Sequence, residues 1–160
     1  MSTNEYHFVT RWRVESTAEE VYDTLENPKD LVRWWPQVYL DVKEAEPGVF
    51  ELHTKGWLPY TLRWRLRRLE SSRPHGFSLE AWGDFDGRGV WTFQQHGSFV
   101  DVTYDWRIKA EKPLLRRLSF LLKPIFSANH RWAMAQGEKS IKKELARRAA
   151  AAVRETKAPV

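Results

Sequence analysis

The sequence predicts an α+β fold, with seven antiparallel strands, two short helices after the first strand and one long C-terminal helix. Three observations predict it. Seven segments between Tyr6 and Ile108 read as strands, the clearest of them alternating apolar and polar residues. Ser16–Trp35 breaks that series with two short helical patterns. From Pro113 to about Glu155 the chain is helical in composition and spacing.

The first strand is Tyr6–Val14, where Tyr6, Phe8, Thr10, Trp12 and Val14 share one face and His7, Val9, Arg11 and Arg13 the other. Thr17 with Glu20 three residues on is a capping-box pattern. It opens a helix whose apolar stripe is Val21, Tyr22 and Leu25, and Asn27-Pro28 ends that helix. Asp30–Trp35 forms a further turn or two, stopped by Pro36.

Val38–Ala45 and Val49–Lys55 are the next strands, joined by the turn Glu46-Pro47-Gly48. After the loop Gly56-Trp57-Leu58-Pro59, Tyr60–Leu69 has the cleanest alternation in the chain. Tyr60, Leu62, Trp64 and Leu66 point one way there, and Thr61, Arg63, Arg65 and Arg67 the other. Phe77–Trp82, Val90–His96 and Phe99–Ile108 complete the set, with Ser71–Gly76, Gly83–Gly89 and Gly97-Ser98 as connections. The last strand sets Val100, Val102, Tyr104, Trp106 and Ile108 on one face.

In the helical region, Pro124 is expected to separate a lead-in helix, Leu114–Lys123, from a long one beginning at Ile125. Phe126, His130, Met134, Gly137, Ile141 and Leu145 follow 3/4 spacing and make one stripe. Residues 1–150 are expected to form one domain, with 151–160 a frayed Ala/Lys-rich tail.

The 160 residues are 42% hydrophobic and include 9 Trp, 8 Phe and 5 Tyr, enough for a core and against disorder. The lack of cysteine removes disulfides, thiolate metal sites and cysteine nucleophiles, and fits a cytoplasmic setting. The N-terminal residues show no apolar signal core. The formal net charge of +5 is unevenly spread. Residues 1–108 hold 13 Lys/Arg against 17 Asp/Glu, a balance of −4, and residues 109–160 hold 13 against 4, a balance of +9.

That distribution argues against a nucleic-acid-binding body. The row Arg63, Arg65 and Arg67 reads as a solvent-facing strand matched by acids such as Glu80 on a neighbour. The basic C-terminal segment reads as a solvated helix face, with transient membrane contact as a further possibility for it and for Leu114–Phe126.

A lone helix about 10–12 Å across cannot fill one face of a wide curved sheet. An apolar gap lined with aromatics is therefore expected between helix and sheet.

The element order, the block Val14–Tyr22, Trp34-Trp35-Pro36, and Pro124–Leu145 with Asn129-His130, Met134, Gly137 and Ile141 resemble the START-like helix-grip superfamily (SRPBCC). That superfamily includes birch-pollen-allergen-like proteins and the polyketide cyclase/dehydrase and lipid-transport group. The resemblance covers nearly the whole chain. It implies a seven-stranded curved sheet gripping the long helix around a hydrophobic ligand cavity. It does not select a reaction, because one such scaffold carries binding, transport and cyclisation.

The candidate ligand-binding residues are Trp57, Tyr60, Leu62, Trp64, Leu79, Tyr104, Trp106, Phe126, His130 and Met134. The aromatics among them would hold a flat or lipid-like ligand by dispersion and stacking, where the plain alternative is a filled core. Tyr60, Tyr104 and His130 would orient its polar end. The loop Gly56–Pro59 resembles in position the gate loop of plant hormone receptors in the superfamily, or is a plain hairpin turn.

His130 is the leading candidate for acid/base work, without a carboxylate partner legible in sequence, and a cavity Tyr is the other group that could shuttle protons. His7, His53, His75, His96 and His130 have no metal-ligand spacing, so neither a metal nor a cofactor is expected. The reading is binding, with transport as a further role, of a hydrophobic small molecule such as a lipid or an aromatic or polyketide-like metabolite. The alternative is a polyketide aromatase/cyclase using the same cavity.

Overall fold

The chain's structure, a computed structural model, describes residues 4–157. Strand β1 (Glu5–Glu15) leads into α1 (Ala18–Leu25), a 3₁₀ turn (Pro28–Asp30) and α2 (Leu31–Trp34). As the capping pattern predicts, the Thr17 hydroxyl accepts a hydrogen bond from the Glu20 N–H at 3.2 Å. The Asn27 side chain caps the 3₁₀ turn in the same way, through the Lys29 N–H. Six strands follow: β2 (Tyr39–Glu46), β3 (Val49–Lys55), β4 (Thr61–Ser72), β5 (Gly76–Gly83), β6 (Phe85–His96) and β7 (Phe99–Ala110). The chain then enters α3 (Pro113–Lys157).

All seven strands form one antiparallel sheet in the order β1-β7-β6-β5-β4-β3-β2. The α+β architecture read from the sequence is therefore present, and the structure places β1 beside β7. α1, α2 and α3 cover one face of the sheet, and the core between them is rich in tryptophan, with Trp12, Trp34, Trp35, Trp64, Trp91 and Trp106 all buried. No helix among the described residues is long and apolar enough to cross a membrane.

On the other face the charges pair across strands. Arg67 pairs with Glu80, Arg65 with Glu51 at 3.7 Å and Arg13 with Asp101 at 3.6 Å. Arg11 stands opposite Thr103. Exposed pairs of this kind contribute only about 0–1 kcal/mol each. They account for Arg65 and Arg67 of the arginine row without a phosphate partner.

Two boundaries differ from expectation. β6 begins at Phe85 rather than Val90, so most of Gly83–Gly89 is strand. The glycines there are a packing device and not a turn. A Cβ at Gly87 would come within 2.6 Å of the Ile108 Cγ2, and one at Gly89 within 2.7 Å of the Tyr104 hydroxyl and 2.9 Å of the Trp106 ring. Gly in a strand marks such a close approach.

The second difference is α3, which runs through Pro124 without a break and on to Lys157. Proline leaves the carbonyl four residues earlier without its helical donor. Here that residue is Phe120, and both Phe120 and Pro124 lie on the solvent side, where water can serve the carbonyl. The helix consequently spans both ends of the sheet.

Candidate functional site

The stripe read on α3 is buried in two different ways. Gly137, Ile141 and Leu145 pack directly on the core, and Ile141 is fully enclosed. Gly137 is where the indole of Trp35 crosses the helix, since a Cβ there would lie 2.6 Å from its Cε2. One turn further on, the buried Glu144 carboxylate accepts from Arg33 of α2 at 3.0 Å and from Arg147 at 2.8 Å and Arg148 at 2.9 Å. Those guanidinium donors hold Glu144 far below the usual carboxylate range.

Toward the N-terminal half of α3 the same stripe faces empty space. A cavity of about 150 Å³ lies between that half and the sheet. Its floor is an aromatic array. Tyr104 stacks on Trp91 at 4.0 Å between ring centroids and on Trp106 at 5.5 Å, and Trp64 bridges Trp106 at 6.0 Å and Phe85 at 5.0 Å. The Trp64 Nε1 donates to the Thr54 Oγ1 at 3.0 Å, so its polar atom is satisfied inside the wall. Phe126, His130 and Met134 of α3 form the roof, with Phe126 edge-on to Tyr60 at 6.2 Å.

The polar groups gather at one place. The backbone N–H of Leu58 donates to the Asn129 Oδ1 at 3.1 Å, which ties the Gly56–Pro59 loop to α3. Gly56 lies directly against the Asn129 amide, so a Cβ there would force that side chain to move. Burial pushes the Tyr60 phenol up to about 12, an effect eased by its hydrogen bond with Asn129.

The His130 ring stacks on Phe8 of β1, with centroids 4.0 Å apart, and its buried Nε2 has no hydrogen-bond partner. Burial first, and then the charge of Arg131, holds its pKa down to about 4, so the imidazole is neutral near pH 7.

Eight of the ten candidate residues line this cavity: Tyr60, Leu62, Trp64, Tyr104, Trp106, Phe126, His130 and Met134. Two do not. Trp57 sits at the loop tip, 51% exposed, because the loop bonds to α3 through Leu58 and leaves the indole outside. Leu79, on β5, lines a smaller cavity of about 30 Å³ beneath α1. Trp35, Tyr39, Trp64 and Tyr104 border both spaces and separate them.

Tyr6, Phe8, Trp35, Tyr39, Thr54 and Phe85 also line the main cavity and were not among the candidates. Tyr6 and Phe8 were already on the inward face of the first strand. Trp35 and Tyr39 flank a loop without periodicity, and only the packed structure brings them in.

Chemically, the site is a greasy space with few polar groups. Among the described residues no carboxylate lines it, and no group of three or more His, Cys, Asp or Glu could hold a metal ion.

No protein-family model and no curated protein matches the sequence. Solved structures do match the fold. A conserved protein from Geobacillus kaustophilus superposes with a TM-score of 0.74 at 13% identity, covering 89% of this chain and 96% of that one. A START superfamily protein from Mycobacterium smegmatis gives 0.72 at 9% identity, covering 88% and 97%. The Zhui aromatase/cyclase from Streptomyces sp. R1128 gives 0.69 at 15% identity, covering 91% and 96%. At such identities the likeness speaks for architecture, and together with the sheet order and the gripped helix it shows that this chain has the helix-grip fold.

Proposed function

We propose that the protein binds a hydrophobic small molecule, a lipid or an aromatic metabolite, in the cavity under α3 and catalyses no reaction on it. The observation that carries this reading is an aromatic-lined space of about 150 Å³ with no carboxylate in its wall among the described residues. Burying apolar ligand surface there is favourable by roughly 25 cal/mol per Å². An engineered apolar cavity of similar size takes up benzene. Proton-transfer chemistry needs a positioned acid or base, and His130 is stacked on Phe8 without a carboxylate to orient it.

Native mass spectrometry of the purified protein should show a co-purifying apolar ligand. Titration with apolar dyes should change the fluorescence of the wall tryptophans. No bound species and no fluorescence response would overturn the reading. The alternative, a polyketide aromatase/cyclase in the same cavity, predicts turnover of candidate polyketide chains that His130→Ala abolishes with the fold intact.

A second observation favours transport over storage. Phe120 (69% exposed), Leu121 (66%) and Ile125 (43%) form an apolar run on the outside of α3 beside the cavity. Between Lys112 and Gly137 the chain carries five Lys/Arg and no Asp/Glu. An apolar surface flanked by more basic than acidic side chains suits an anionic lipid surface, where a ligand could enter or leave. Co-sedimentation with anionic vesicles at low salt, absent with neutral vesicles, is the expected result. Equal binding to both would exclude the charge argument.

A further inference from the structure

On the α1 side the ligand cavity ends at four side chains. Trp35, Tyr39, Trp64 and Tyr104 line it and also line the smaller space beneath α1. The two spaces measure about 150 Å³ and about 30 Å³. Apart from Arg68, the lining beyond the four is apolar, with Leu79 among it. How far a ligand can reach therefore depends on which of the four side chains is merely in the way and which is built into the fold.

Three of them are held from several sides. Trp35 crosses α3 at Gly137 and packs edge-on to Trp12 at 5.8 Å. The Trp64 indole donates to Thr54 and lies against Phe85 and Trp106. Tyr104 is sandwiched between Trp91 and Trp106. Tyr39 is held least. It is half-buried, and among the described residues its hydroxyl has no hydrogen-bond partner and its one ring neighbour is Trp35, at 5.0 Å. The backbone explains how its ring comes to be there. Tyr39 pairs with Thr54 and Asp41 with His53, so Leu40 is an extra residue in the edge strand β2. In a regular strand Asp41 would share the inward face with Tyr39. With the bulge, Tyr39 and Val42 pack on the core and Asp41 is exposed. Bulges beside functional sites re-aim a side chain in this way.

We propose that the Tyr39 ring is the partition that sets ligand length: it closes the cavity on the α1 side, so the site takes a compact apolar ligand and rejects one long enough to reach Leu79. The inference rests on the cavity being a ligand site. The ring acts by occupying space, and its hydroxyl has no part in it. Every ligand carbon on the near side of the ring gains from leaving water, and a carbon that meets the ring gains nothing.

The test titrates the straight-chain 1-alkanols from hexanol to dodecanol by tryptophan fluorescence, in the full chain and in variants each confirmed folded by its thermal melt. In the parent, affinity should rise about fourfold with each added carbon, the worth of one buried methylene, and then level off within the series. In Tyr39→Ala the next alcohol beyond that limit should again bind about fourfold more tightly than the one before it. Tyr39→Val, which keeps a residue suited to a strand, should do the same. Tyr39→Phe should level off where the parent does, because the ring is intact. Adding Leu79→Phe to Tyr39→Ala should restore the parent's limit by filling the space beyond the partition.

A limit unmoved in Tyr39→Ala and Tyr39→Val overturns the assignment, as does a steady climb through dodecanol in the parent. A limit that also lengthens in Tyr39→Phe puts the stop on the hydroxyl and overturns the role of the ring. A lengthened limit that Leu79→Phe does not shorten means the chain leaves by another route, which overturns the partition. In these cases the alcohols bind, so the cavity reading stands. Failure of every alcohol to bind overturns both.

Discussion

The two halves of α3 do opposite things with the same kind of stripe. From Gly137 to Arg148 the helix is locked: Trp35 crosses at Gly137, Ile141 is fully enclosed, and Glu144 collects three guanidinium groups. From Leu115 to Met134 it roofs a cavity, carries the unpaired His130 nitrogen and exposes Phe120, Leu121 and Ile125. Tight packing at one end allows a gap at the other, because a helix anchored by one half does not need the other half to fill space for stability. Stability and binding should therefore separate along a single helix.

The largest effect expected is on the locked half. Ile141→Ala should cost about 3–4 kcal/mol in denaturant unfolding, the transfer term plus the void it leaves. Apolar-dye binding at temperatures where the variant stays folded should be little changed. Gly137→Ala should cost about 2–3 kcal/mol, because the added methyl meets an indole held on Trp12 and Tyr39 and has nowhere to go. A neutral result at either position would break the comparison.

Glu144→Gln should cost about 2 kcal/mol at pH 7, since three guanidinium groups lose their common anion. The sign with pH follows from the lowered carboxyl. Its contribution is present above the ordinary carboxylate range and is lost as acid protonates it. The difference between variant and parent should therefore shrink toward pH 3.

On the cavity half, His130 gives a smaller and different acid dependence. Its pKa is about 4 in the folded chain, so the unfolded chain binds the proton first, and stability falls as pH drops from about 6.5 toward 4. Between pH 7 and 5 this amounts to about 1–2 kcal/mol, which His130→Phe should remove. Chemical denaturation at the two pH values checks it. Smallest in stability is Phe126→Ala, expected at about 1 kcal/mol because its ring already borders empty space. It should nevertheless alter dye affinity more than any substitution in the locked half. An unchanged affinity would remove Phe126 from the site.

Much of this was legible in the sequence. Alternation assigned the inward faces of β1, β4 and β7 correctly, because a half-buried strand must repeat every two residues. The +9 of the last third was legible as well, although part of it turns inward to Glu144 and Asp30. Two errors came from reading Gly and Pro as punctuation. Gly87 and Gly89 make room for Ile108, Tyr104 and Trp106 inside the sheet, and Pro124 sits where solvent can serve the carbonyl it leaves free. Trp57 and Leu79 were misplaced because local pattern says which way a side chain points and not how far the cavity reaches.

By itself the sequence determined the order of the elements, the face each strand turns inward and the third of the chain that carries the charge. Those follow from local periodicity and composition, which act over a few residues. Only the tertiary structure decided where the interior is filled and where it is empty. It also decided that Asn129 ties down the Gly56 loop, that Trp35 passes Gly137, and that the His130 nitrogen is left unpaired. A cavity is the space left where several elements fail to meet, so it depends on positions far apart in the chain at once.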